Sequence, residues 1–146
     1  MRGFMPRTEF GRKMDLAGFA TLGLDSVNLS PDTCDLLADF AYRGARPTGI
    51  DQLKTAFAVV VLMHETSHVL NQGVHPNATE EQTAECWAMQ HIREAAVELG
   101  AGKDYADTLA ERYWSDVYPL QTPKYRTDRC RDGGRLDVRR GSHVWP

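Results

Sequence analysis

His64-Glu65-Thr66-Ser67-His68 is an H-E-x-x-H pattern, two imidazoles four positions apart with a carboxylate between them. On a helix, residues four apart lie on one face, about 5–6 Å apart at Cβ. Two imidazoles so placed can hold one zinc ion. Glu65 then sits beside the fourth coordination position, where a water can bind, and can take the proton whose pKa the metal lowers. The chemistry this spacing suits is hydrolysis of a peptide bond. Glu65 is the expected general base, passing the proton on toward the leaving amine.

Such chemistry requires a helix, and the flanking residues supply the signals for one. Thr48-Gly49-Ile50-Asp51 reads as an N-terminal cap, and no proline or interior glycine follows before Leu70. Asn71 and Gly73 supply a stop. The triplet Val59–Val61 favours a strand, but length and capping favour helix. The run Phe57–Met63 is apolar all round, which predicts a buried helix, and it is too short to span a membrane. A buried helix that presents His, Glu and His carries a polar penalty that a bound metal would offset.

A catalytic zinc usually takes three protein ligands and leaves one position open. The loop Asn71 to Ala78 is short, and Thr79-Glu80-Glu81-Gln82 reads as a capping box opening a helix to about Leu99, with Gly100 as stop. Helices joined by a short loop pack antiparallel, so the turn carrying His68 faces the turn carrying Glu81. Glu81 is the expected third ligand. Glu85, one turn deeper, is expected to accept a hydrogen bond from the outer nitrogen of a ligand histidine, His64 for preference, and is the alternative ligand. Acids in a first helical turn are also favoured by the helix dipole, which is the ordinary explanation of Glu80 and Glu81. His75 is one residue out of register with the third histidine of metzincins and is expected in the loop beside the cleft. His91 lies too far along the helix to share the ion, and Cys86 is expected as a small buried hydrophobe on another face. A second donor for the developing oxyanion has four candidates, His75, Tyr113, Tyr118 and Tyr125, of which His75 and Tyr125 are retained as site residues. Trp87 and Trp114 read as core residues.

Glu81-Gln82-Thr83-Ala84-Glu85-Cys86-Trp87-Ala88 resembles the E-x-x-A-N-x-F-A stretch of ImmA/IrrE-type metallopeptidases, whose first Glu is the third zinc ligand. Glu81, Ala84, Trp87 (for Phe) and Ala88 fit that pattern. Glu85 replaces the Asn, a departure that resembles the E-x-x-x-D arrangement of gluzincins, where the acid four residues on supports a ligand. Residues 17–146 also resemble a group of small actinobacterial HExxH proteins. The resemblance is carried by Leu29-Ser30-Pro31, Cys34, the motif helix, Glu85-Cys86-Trp87-Ala88-Met89-Gln90, Tyr125-Arg126 and Cys130-Arg131-Asp132-Gly133-Gly134. It implies the zinc site and names no substrate.

Length and composition set the frame. With 146 residues, 42% of them hydrophobic, the chain is expected to form one domain spanning 1–146 with a real core. Its net charge of −3 gives no basic footprint for nucleic acid. Arginines gather in the tail (Arg126, Arg129, Arg131, Arg135, Arg139, Arg140), but Asp128, Asp132 and Asp137 interleave with them and indicate a solvated loop. Met1–Pro6 is too short and polar for a signal peptide, and no membrane segment is evident. The expected location is the cytoplasm by default, with an exported mature domain kept open. Cys34, Cys86 and Cys130 allow three pairings if the protein is exported, and free thiols are the default expectation.

The remaining map is coarse. Residues 1–15 are polar and expected to be flexible. Phe19 to Leu29 suggests a hairpin about Gly23 and Asp25. Ser30-Pro31 opens a helix to about Arg43, stopped by Gly44. Asp104 is expected to cap a helix to about Tyr118, ended by Pro119. Residues 119–146 form an irregular tail with one short strand, Arg135 to Val138. The fold class is α+β, mainly α: a minimal zincin-like domain with an active-site helix, a glutamate helix and a small hairpin. Ser26–Leu29 is placed to pair with an extended peptide. The functional expectation is a zinc metallopeptidase with one Zn²⁺ per chain and a peptide or protein substrate. The alternatives are a metal-binding regulatory or interaction module with little turnover, and a plain helical domain.

Overall fold

The computed structural model describes residues 18–21, 26–70, 78–139 and 145–146. Strands β1 (Gly18–Thr21) and β2 (Ser26–Leu29) pair antiparallel, with Gly18 opposite Leu29 and Thr21 opposite Ser26. This is the expected hairpin, and its connection, 22–25, lies outside the described residues. Helix α1 (Pro31–Ala41) starts as its sequence dictates. Ser30 is extended, its Oγ accepts the Thr33 amide at 3.2 Å, and Pro31 takes the first helical position, where no N–H is needed.

Helix α2 (Gly49–Leu70) carries the motif. It packs against α1, both strands, α3 (Ala78–Gln90), α4 (Ile92–Glu98) and α5 (Lys103–Arg112). A helix covered on so many sides must be apolar all round, which is why Ala56 and, despite their β-branching, Val59, Val60 and Val61 are fully buried in helix. The hairpin comes very close to it. A Cβ on Gly18 would stand 3.1 Å from Val61 Cγ1 and 2.9 Å from the Asn28 carbonyl oxygen, so a side chain there would push the hairpin off the helix.

Four expectations are corrected. The glutamate helix begins at Ala78, so Thr79 is not its cap; the Thr79 carbonyl accepts the Thr83 hydroxyl at 2.8 Å inside the helix. That helix does not run to Leu99 but breaks at His91, the residue between α3 and α4. The His91 ring Nδ1–H donates to the Trp87 carbonyl at 2.6 Å, while the His91 backbone N–H turns to Ala88 at 3.0 Å. A side chain has taken a carbonyl from the helical ladder. Helix α5 begins at Lys103 after Gly102, not from an Asp104 cap. It passes into a π turn (Tyr113–Val117) and a 3₁₀ turn (Tyr118–Leu120) containing Pro119.

The fourth correction concerns the tail and its cysteine. No strand forms over Arg135–Val138. The Asp137 carboxylate accepts the amides of Gly133 (2.9 Å) and Arg139 (2.7 Å), and the Gln90 amide group donates to the Leu136 carbonyl (3.0 Å) and accepts from Val138 N–H (2.8 Å). Side chains, together with turn bonds from Leu136 N–H to Arg129 and Asp137 N–H to Gly134, satisfy the backbone groups that a neighbouring strand would have paired. The tail crosses α3 at Cys86, which forms a buried disulfide with Cys130, Cα–Cα 5.6 Å. Free thiols were the wrong expectation for this pair; Cys34 is free and exposed. The architecture is α+β and mainly α, with a core built around α2. Among the described residues no helix is long and apolar enough to cross a membrane. The expected flexibility of 1–15 falls outside the described residues.

Candidate metal centre

Helices α2 and α3 are the most extensively packed pair, and their facing turns bring four polar side chains together. One turn of α2 sets the His64 and His68 rings with centroids 4.8 Å apart and their Nε2 atoms 3.1 Å apart. From α3, Glu81 Oε2 lies 3.0 Å from His64 Nε2 and Glu81 Oε1 lies 3.3 Å from His68 Nε2. Zinc bonds of about 2.0–2.2 Å at tetrahedral angles hold ligand atoms about 3.3 Å apart, so the three donors fit the edges of one coordination shell. Two nitrogens and a carboxylate oxygen are also a donor set that zinc accepts.

Glu85 meets His64 at its other nitrogen, Nδ1, at 2.9 Å. That bond assigns the Nδ1 proton to the carboxylate and leaves Nε2 of a neutral ring with a lone pair. The lone pair then faces a carboxylate oxygen and a second imidazole. Acceptors so opposed need a cation among them, a proton or a metal. The electrostatics say the same. Burial by itself lowers the His64 pKa, but hydrogen bonds to Glu81 and Glu85, with the charges of Glu85 and Glu65, push it up to about 10. For Glu81, burial raises the pKa, and the bonds to His64 and His68 outweigh it, holding the carboxyl well below the usual carboxylate range.

The cluster is deep at one end and open at the other. Side-chain exposure runs from 0% at Glu85 and 1% at His64 to 13% at His68 and 15% at Glu81. Among the described residues, His68 and Glu81 are the members of the cluster nearest solvent. Glu65 is buried on α2 beside His64. Tyr125 sets its ring edge-on to His64, centroids 5.7 Å apart. His75 lies outside the described residues. The other two tyrosines weighed as oxyanion donors are committed elsewhere. Tyr118 donates to the Thr127 carbonyl at 3.3 Å. Tyr113 donates its hydroxyl to Glu85 Oε1, which also accepts from Gln121 Nε2 at 3.3 Å. Burial first, and the neighbouring Glu85 charge second, raise the Tyr113 pKa well above its ordinary value, so it stays a donor. Sequence reasoning weighed Tyr113 for a different role and missed Gln121, which carries no local signal.

Helix α3 works on two faces. Glu81 and Glu85, four apart, face α2. Gln82, Cys86 and Gln90, each four apart and one position on, hold the tail: Gln82 Nε2 donates to the Pro123 carbonyl at 2.8 Å, Cys86 forms the disulfide, and Gln90 binds the 136–138 backbone. This explains a helix so poor in large apolar residues. No family model, curated protein or solved structure matches the chain.

Proposed function

We propose that this chain is a zinc-dependent metallopeptidase in which His64, His68 and Glu81 hold one Zn²⁺ and Glu65 is the general base. The observation that carries the reading is the convergence of two imidazole nitrogens and a carboxylate at 3.0–3.3 Å, on the helix whose motif sets Glu65 beside them. When bound, zinc would polarise the scissile carbonyl and lower the pKa of water at the site. The chain's own residues supply the rest. Glu85 holds the His64 tautomer that presents Nε2 to the ion. Glu81 contributes the negative charge that leaves the site net positive toward a carbonyl oxygen. Glu65 takes the proton of the attacking water and delivers it to the leaving amine nitrogen. Tyr125, expected as a substrate-side donor, is buried with its ring against His64 at the deep end of the site, so its part is to hold that imidazole in place. The substrate is a peptide or protein segment entering past His68 and Glu81. The Cys86–Cys130 disulfide favours an oxidising compartment over the cytosol as the place of work.

The experiment is cleavage of a mixed peptide library by the zinc-reconstituted protein, read by mass spectrometry, with Glu65→Gln as control. The expected result is cleavage in the native protein and its loss in Glu65→Gln, both with equal zinc content. Full zinc with no cleavage of any peptide would leave a metal-binding module instead.

A further inference from the structure

We infer that the π turn after α5 is a positioning device for this centre, and that Tyr113 and Gln121 set the geometry and donor strength of His64 through Glu85. The inference rests on the zinc reading above and adds two residues to it.

Three observations support it. First, Glu85 is a wholly buried carboxylate with both oxygens engaged. Oε2 faces His64 Nδ1 at 2.9 Å, and Oε1 accepts from the Tyr113 hydroxyl and from Gln121 Nε2 at 3.3 Å. The same Gln121 N–H is shared with the Tyr113 oxygen at 3.0 Å, which draws the three side chains into one cluster. A carboxylate held on both oxygens cannot rotate away from the imidazole it orients.

Second, the backbone departs from α-helix where this cluster requires it. Residues eight apart on a regular α-helix are separated by about 12 Å along its axis. Tyr113 and Gln121 are eight apart, yet both reach one carboxylate oxygen. The chain achieves this by a π turn that starts at Tyr113, closed by the Tyr118 N–H to Tyr113 carbonyl bond, and then a 3₁₀ turn that ends at Leu120. Isolated π turns are rare and are often found at functional sites. Third, packing does not require these polar groups. Phe and Leu would fill similar space, whereas Gln121 Oε1 is buried with no hydrogen-bond partner among the described residues. A buried amide with an unsatisfied oxygen costs stability, and what offsets that cost here is the contact of its nitrogen with Glu85 and Tyr113.

The test measures zinc affinity by competition with a chromophoric chelator, and the visible spectrum of the cobalt-substituted protein, for native, Tyr113→Phe and Gln121→Met chains. Removing a direct partner of a metal ligand typically weakens affinity 10–100-fold, and Tyr113 and Gln121 stand one contact further out, so the low end of that range applies. About tenfold weaker zinc binding and shifted cobalt bands in Tyr113→Phe are expected, with Gln121→Met in the same direction. Melting of the metal-free chains separates this from a loss of fold, and the glutamine variant decides if the tyrosine variant does not melt cooperatively. Affinities within twofold of native and an unchanged cobalt spectrum in the folded variants would overturn the inference while leaving the zinc site standing. A native chain that binds neither metal would remove both.

Discussion

The two walls around Glu85 are built by different physics. On one side, α2 and α3 satisfy their backbones within the helices, so their side chains are free to converge, and helical spacing alone aligns His64 with His68 and Glu81 with Glu85. On the other side, the chain beyond Tyr113 has little regular structure. Its backbone is satisfied by short turns of its own and, where it meets the first wall, by Gln82 and Gln90, and it is stapled there by Cys86–Cys130. The regular wall carries the proposed ligands, while the irregular wall meets them through Gln121 and Tyr113 on Glu85 and through Tyr125 on His64. Ligation needs a few fixed spacings, whereas orientation needs atoms at places no regular element reaches.

Breaking the regular wall should have the largest effect. Glu65→Gln should lower turnover by about 10²–10⁴-fold with zinc retained, read as kcat in parallel with elemental analysis. His68→Ala should lose zinc and activity together. The irregular wall should respond in stability first. Opening the disulfide by Cys130→Ser releases a loop of sequence separation 44, worth about 4 kcal/mol in the chain-entropy account, and should lower the midpoint of denaturant unfolding accordingly. A smaller effect is expected at Gln90→Leu, which leaves the Leu136 and Val138 backbone groups unpaired. It should cost about 1–3 kcal/mol and change zinc affinity little. If Gln90→Leu lowered zinc affinity as much as Tyr113→Phe, the division between holding the tail and orienting the ligand would fail.

Acidity gives the gentlest probe. In the metal-free protein the His64 pKa is raised from 6.5 to about 10. A raised pKa stabilises the fold fully below pH 6.5, and that contribution is lost as pH rises toward 10. Glu81 is held low, so its contribution is present above the ordinary carboxylate range and lost as pH falls. Metal-free protein should therefore melt highest in mildly acidic solution and progressively lower toward pH 10. Zinc bound as proposed would replace the proton on His64 Nε2 and should flatten that alkaline decline. A metal-free melting temperature that rises from pH 7 to 9 would contradict the arrangement.

The same contrast explains what can be read from the sequence. The hairpin, the Ser30 cap, the long buried helix and the approach of Glu81 to His64 and His68 are all legible, because each follows from a local signal or from a short connection. The break at His91 is not, because a ring nitrogen competing for the Trp87 carbonyl has no pattern of its own. Neither is Gln121, since the π turn that brings it to Glu85 breaks the periodicity by which a helix face is recognised. The Cys86–Cys130 pairing depends on the course of a tail of short turns, and 135–138 reads as a strand only until Gln90 and the carbonyls of Arg129 and Gly134 take its hydrogen bonds.

The most direct test of the central claim is the metal content of the purified native chain and of Glu81→Ala and Glu85→Ala, after zinc reconstitution and removal of excess. The account predicts about one zinc per chain in the native protein, none in Glu81→Ala, and a weakened but occupied site in Glu85→Ala. Zinc retained in Glu81→Ala and lost in Glu85→Ala would move the third ligand to Glu85, and no zinc in the native chain would contradict the account altogether.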